Sequence, residues 1–202
     1  MKKLLFAVTA LAALSLLAPS TGFADGALNQ LGCYTDDAMT GTSVDAAPNS
    51  QNDVYVVLSN PYDHVNNTEI LAIGGIEFKF VFEGNGMLLG APSWTHDSVI
   101  DIGTDDSHIA GFGTPLLVGD GGYVTVCIQN VMIFSDAAPS YLYLVPAVPA
   151  SIPGVMVLLD SDENLSALYP SSGDTANPVY GFNDTVVATD SVHMDEIKAM
   201  YR

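Results

Sequence analysis

An all-β fold, two antiparallel sheets packed face to face with a short helix at the C-terminus, is what this sequence predicts. Three observations carry the expectation. Apolar residues recur at every second position in the two longest patterned runs, which is the period of a strand with one face on a core. Clusters of Gly, Pro, Asn and Asp punctuate the chain between short apolar runs, as they do in sandwiches and barrels. The helical stretches of roughly 10–15 residues that a parallel α/β fold places between its strands are missing.

The chain has 202 residues and opens with a basic pair, Lys2-Lys3, then an uncharged apolar run from Leu4 to Leu17. Pro19 breaks that run, and Gly22-Phe23-Ala24 places small residues at the two positions a signal peptidase reads. Residues 1–24 are therefore expected to be a secretory signal peptide, cleaved before Asp25. A membrane anchor needs roughly 20 apolar residues, and this run is shorter. A lipoprotein reading of Gln30-Leu31-Gly32-Cys33 fails on Gln30 and on the helix-breaking residues between it and the apolar run. The expected location is outside the cytoplasm of a bacterium: secreted, periplasmic or on the cell surface.

Residues 25–53 are expected to hold an N-terminal strand and a polar loop, and residues 54–188 the β-sandwich. Strands are expected at Val54–Leu58, Ser98–Ile102, His108–Phe112, Leu116–Val118, Tyr141–Val145, Gly154–Leu159 and Asp184–Ala188. The clearest is Ile76-Glu77-Phe78-Lys79-Phe80-Val81-Phe82-Glu83. Its Ile and Phe side chains point one way and its charged residues the other. In Tyr123-Val124-Thr125-Val126-Cys127-Ile128-Gln129, the alternation puts Val124, Val126 and Ile128 inside and Cys127 outside. The turn signals are Asn60-Pro61, Gly84-Asn85-Gly86, Gly119-Asp120-Gly121-Gly122, Ala138-Pro139-Ser140 and Ser171-Ser172-Gly173-Asp174. Pro146, Pro149 and Pro153 forbid a helix across the apolar stretch Leu142–Val157. Residues 189–202 are expected to form the C-terminal helix or tail. Asp190 or Ser191 would cap it, Met194, Ile197 and Tyr201 share a side, and Lys198 and Arg202 sit near its end.

Charge narrows the function classes. After residue 24 only Lys79, Lys198 and Arg202 are basic, against 23 acidic residues, a formal charge of −20. Nucleic acid is excluded as a partner, because phosphate binding needs Lys and Arg. Adhesion to anionic membranes is disfavoured for the same reason, and no later segment reads as a membrane span. Asp outnumbers Glu and concentrates at turns, where its side chain bonds nearby backbone.

The two cysteines of an exported protein suggest a disulfide, Cys33–Cys127, closing a loop of about 94 residues. Asp160, Asp162 and Asn164 are the candidate calcium ligands, with oxygens at alternate positions. Leu165 stands where an EF-hand loop needs Gly, and Ser171 where it needs a bidentate Glu. These departures favour an acidic turn over a surface calcium site. Trp94, the lone tryptophan, is a candidate stacking platform for a sugar ring, against a core role. Tyr34, Tyr62, Tyr169 and Tyr180 could extend that platform.

No catalytic signature emerges. There is no Gly-x-Ser-x-Gly elbow, no His-Glu-x-x-His and no phosphate loop. The neighbours His96 and Asp97 would point to opposite faces of a strand. Glu77 and Glu83 are about 20 Å apart along one strand, too far to act as a glycosidase pair. No catalytic residue and no obligatory cofactor is expected.

Ile73-Gly74-Gly75-Ile76-Glu77-Phe78-Lys79-Phe80-Val81-Phe82 opens a strand with Gly and continues in alternation. Gly119-Asp120-Gly121-Gly122-Tyr123-Val124-Thr125-Val126 does the same. In these two segments, within residues 54–134, the chain resembles cohesin-like and related carbohydrate-binding sandwich modules of secreted bacterial proteins. The resemblance implies an immunoglobulin-like or cohesin-like sandwich and a non-catalytic role. It carries no partner-binding residue over, and the chain from Tyr141 onward lies outside it. Lys198-Ala199-Met200-Tyr201-Arg202 resembles the tails of exported bacterial proteins, which implies no activity. The resulting expectation is an exported binding or surface-structural module for an extracellular protein or polysaccharide. The alternatives are a secreted hydrolase acting on extracellular polymer and a self-associating surface or filament subunit.

Overall fold

The computed structural model describes residues 27–103 and 106–184. The expected signal peptide and C-terminal helix lie outside the described residues, as do residues 185–188 of the last expected strand. Within them the chain is all β, with no helix. In chain order the strands are β1 (Gln30–Tyr34), β2 (Ser43–Val44), β3 (Ser50–Ser59), β4 (Tyr62–Asp63), β5 (Thr68–Glu69), β6 (Ala72–Glu83), β7 (Gly86–Leu88) and β8 (Ser93–Trp94). There follow β9 (Val99–Asp101), β10 (Ser107–Leu117), β11 (Tyr123–Ile133), β12 (Ser140–Val145), β13 (Met156–Asp160), β14 (Leu165–Pro170) and β15 (Tyr180–Phe182).

β6 organises one half. It pairs antiparallel with β10 along one edge, and β9 lies beyond β10. Its other edge is shared: β12 pairs with the Lys79–Glu83 end and β13 with the Ile73–Glu77 end. The other half is built on β3, flanked by β1 and β11, with β7 and β8 on the far edge of β11. The arrangement is not the purely antiparallel pair of sheets expected. β1 pairs parallel with β14 and β2 parallel with β15, so thirteen strands join in one mixed sheet; β4 and β5 form a separate hairpin. Long connections separate β1 from β14 and β2 from β15, so no tight hairpin dictates an antiparallel pairing there.

Both halves turn an apolar face to one core. Ile76, Phe78 and Phe80 come from β6, Leu142 and Leu144 from β12, Met156 and Leu158 from β13, and Val54, Val56 and Leu58 from β3. The alternation read in β6 holds. Glu77, Lys79 and Glu83 lie on the opposite face.

β11 departs from its expected alternation. Thr125 pairs with Val57 and Cys127 with Val56, so Val126 is a β-bulge residue. The extra residue shifts the phase. Past the bulge, Cys127, Val131 and Ile133 are buried in the core, and Ile128 is only half-buried. The expected outward Cys127 is thus an inward one, and Gln129 rather than Ile128 is buried.

Candidate binding face

The outer face of the β6 half carries a trough. Two rows of residues cross it in register. Leu165, Leu159, Gly75, Gly111 and Ile100 form one, across β14, β13, β6, β10 and β9. Val157, Glu77 and Ile109 form the next, and the amide of Ile102 donates to the carbonyl of Ile109 at 3.1 Å. Large side chains at both ends of the first row and glycines in its middle leave a concavity of about 340 Å³. A Cβ at Gly111 would meet nothing within 4 Å. Ile100, Ile102 and Leu165 are 69%, 71% and 46% exposed, unusually open for a cluster of aliphatic side chains.

Gly74 supports this shape from below. A Cβ there would lie 2.6 Å from the Asp160 carbonyl oxygen, where the pairing of β6 with β13 slips by one residue. Only glycine permits that approach, which brings Leu159 into register with Gly75.

One charged group lies in the trough. Glu77 is buried on the outer face because the 146–155 loop folds over it. The Ser151 amide donates to Glu77 Oε2 at 2.9 Å, and the Ser151 hydroxyl donates to Oε1. The loop is held a second time where the Val148 amide donates to Ser107 Oγ at 2.7 Å. Further along the face, Lys79 and Asp106 form an ion pair at 3.2 Å and the Tyr143 hydroxyl donates to Glu83 at 3.2 Å.

The residues singled out in the sequence lie elsewhere. Cys33 and Cys127 are free buried thiols, not a disulfide. Both are in register with Val56, one on each side of it. With β3 between them, their Cα atoms are separated by two strand spacings, about 9.6 Å, beyond the roughly 7 Å a bridge spans. Burial pushes both thiols far above their ordinary value near 9.0.

Asp160, Asp162 and Asn164 meet at the β13–β14 turn through N–H donors. Asp160 Oδ1 accepts the amides of Asp162 and Asn164, each at 2.8 Å, and Oδ2 accepts the Asn164 side-chain amide at 2.9 Å. This is the acidic-turn geometry: the Asn164 amide nitrogen, not its oxygen, faces the carboxylate. Asp36 and Asp63 do the same at other turns. The Thr40 hydroxyl and the Asn66 amide, respectively, hold those two carboxyls below their ordinary value. Among the described residues, no group of three or more His, Cys, Asp or Glu is placed to hold a metal ion.

Trp94 sits in β8 against the core. Its ring meets Phe78 at 6.4 Å, Phe112 at 6.2 Å and His108 at 5.8 Å, all edge-on. It is therefore packed as a plug, not displayed as a platform. Of the four tyrosines, Tyr180 is fully buried, Tyr34 and Tyr62 are half-buried, the latter donating its hydroxyl to Asn67 at 2.8 Å, and Tyr169 is exposed. His108 is buried beside Phe78, Phe80 and Trp94, its Nδ1 2.8 Å from Asp101 Oδ2. His96 does not pair with Asp97: its Nδ1 accepts the Ser98 amide at 3.1 Å, and its Nε2 lies 2.9 Å from the Thr114 hydroxyl.

The trough itself was missed by sequence reasoning. One signal was available: Val99-Ile100-Asp101-Ile102 next to an alternating strand puts two isoleucines on the face where water was expected.

No family model matches the chain, and no curated protein matches it. Among solved structures it is similar to a cohesin module from a Clostridium perfringens ATCC13124 family 33 glycoside hydrolase. The TM-score is 0.48 and the identity 9%, over 70% of this chain and 90% of that one.

Proposed function

We propose that this chain is an exported, non-catalytic module that binds a protein partner through the trough on the outer face of β6. The observation that carries the reading is the open aliphatic concavity of Ile100, Ile102, Leu159 and Leu165 over Gly75 and Gly111. A protein segment can fill it with aliphatic side chains, each worth about 1.5–3 kcal/mol when fully buried. A polysaccharide is the weaker fit, because sugar faces stack on exposed aromatic rings and Trp94 packs inward. Export rests on residues 1–24, and no described helix is long and apolar enough to cross a membrane.

The test uses residues 25–202 as bait for native extracellular proteins and insoluble polysaccharides, beside the Gly111→Trp variant. That substitution fills the trough from a position where a side chain has room. A protein captured by the wild type and lost with the variant is the expected result. Equal capture by both, or capture of polysaccharide alone, overturns the reading.

A further inference from the structure

The geometry points to the open edge of β9 as the place where the partner docks, as one added antiparallel strand: an extended segment with aliphatic residues at alternate positions and Lys or Arg at its ends. This rests on the reading of the trough as a protein-binding face and gives that partner its form.

β9 is an edge strand. Among the described residues it pairs with β10 alone. The Ile102 amide donates to the Ile109 carbonyl at 3.1 Å, and the Gly113 amide to the Ser98 carbonyl at 2.7 Å. These bonds fix the phase. Ser98, Ile100 and Ile102 turn their backbone groups toward β10, so Val99 and Asp101 turn theirs to the open side. An added strand finds the N–H and C=O groups of both there. Residues 98–102 hold no Lys and no Pro, and no bulge interrupts their register, so the usual devices against edge pairing are missing. Their one charge, Asp101, is bound back. Its Oδ1 accepts the amides of Gly103 at 3.0 Å and Ile109 at 3.2 Å, and its Oδ2 lies 2.8 Å from His108 Nδ1. The bonds to His108 and Ile109 also hold β9 against β10.

The edge and the trough are continuous, because the exposed Ile100 and Ile102 end the two rows that cross the outer face. In an added antiparallel strand, the residue opposite Ile100 belongs to a pair without hydrogen bonds, the kind whose Cα atoms are about 4.5 Å apart. Its side chain, and that of the second residue along, would cover Ile100 and Ile102. Charge selects the segment. Lys79 is the only Lys or Arg among the described residues, and Asp106 pairs with it. Asp97 stands exposed beside β9, and Glu77 lies in the trough. A basic segment is drawn to this surface, and a second, equally acidic copy of the chain is repelled.

The probe is a blocked peptide, acetyl-Lys-Val-Thr-Val-Thr-Val-Lys-amide, titrated into residues 25–202 and followed by amide NMR. The amides of Val99 and Asp101 should shift and gain protection from hydrogen exchange. Methylating the Thr nitrogens, which face β9, should weaken binding at least about tenfold, and methylating the Val nitrogens, which face away, should leave it within about threefold. Replacing both Lys by Glu should weaken it about tenfold at low salt. No response at Val99 and Asp101 up to about 5 mM peptide, or equal binding by the two methylated peptides, overturns the inference. Val99→Pro removes one open-side N–H, a change that edge strands tolerate. Urea denaturation checks that it folds, and if it does not, the peptide series on the wild type decides. In the capture experiment Val99→Pro should lose the partner that Gly111→Trp loses. If folded Val99→Pro keeps that partner, the trough reading stands and the β9 inference alone falls; if neither variant loses it, both fall. A wild-type dimer that Val99→Pro dissolves seats a second copy on the edge and overturns the basic partner.

Discussion

β6 and β11 are long antiparallel strands, one in each half of the molecule, and only one of them obeys its own sequence pattern. Both alternate over a long stretch. In β6 the alternation runs from Ile76 to Phe82 without interruption, and every aromatic it assigns inward is in the core or packed against it. In β11 it is right up to Val124 and wrong after the bulge at Val126, where the phase shifts by one. Period-2 patterning is thus a local rule. It tells which residues share a face only between bulges, and an apolar bulge residue such as Val126 leaves no mark in composition.

The largest test of this comparison removes an inward aromatic of β6. Phe78 is fully buried and touches the rings of Phe80, Trp94 and His108. Phe78→Ala should cost about 3–5 kcal/mol, measured by urea denaturation. A cost below about 1 kcal/mol would mean that the face assignment of β6 is wrong.

The same contrast explains what else was legible. The β content, the inner face of β6, the outward Glu77 and Glu83, and the turn role of Asp160 all follow from local pattern, and the structure has them. The strands β14 and β15 were not foreseen. Leu165–Pro170 mixes Ser166 and Pro170 with apolar residues, and Tyr180–Phe182 is too short to show a period. The disulfide was expected from cysteine count and compartment, and it fails on strand order, which no local pattern encodes. The trough is also a product of strand order: Leu165, Gly75, Gly111 and Ile100 become neighbours only when β14, β13, β6, β10 and β9 are laid side by side.

A second measurement sharpens the phase shift in β11. Uninterrupted alternation makes Ile128 a core residue and Ile133 an outward one; the bulge makes Ile133 the core residue, fully buried, with Ile128 half-buried. Ile133→Ala should therefore cost about 2–5 kcal/mol and Ile128→Ala less than about 1 kcal/mol. Equal costs, or the reverse order, would remove the bulge as the explanation of the face change.

The last effect is read at the bulge itself, through the thiol it turns inward, and it is absent below pH 9. Cys127 and Cys33 flank Val56 as free thiols, and burial raises both above their ordinary value near 9.0. Thiols held neutral in the native state ionise more readily in the unfolded chain. Their stabilisation is fully present below pH 9 and is lost as pH climbs above it, by roughly 1.4 kcal/mol per pH unit per thiol. Tyr180, raised by the same burial, adds to the loss once pH passes its ordinary value of 10.0. The denaturation midpoint should thus decline between pH 9 and pH 10.5, and Cys33→Ala/Cys127→Ala should flatten the first part of that decline. Without reductant, the unfolded wild type should titrate two thiols with a colorimetric disulfide reagent, and the native protein should react slowly even at pH 9. Zero thiols on unfolding would restore the bridge between β1 and β11 and require a different strand order around Val56.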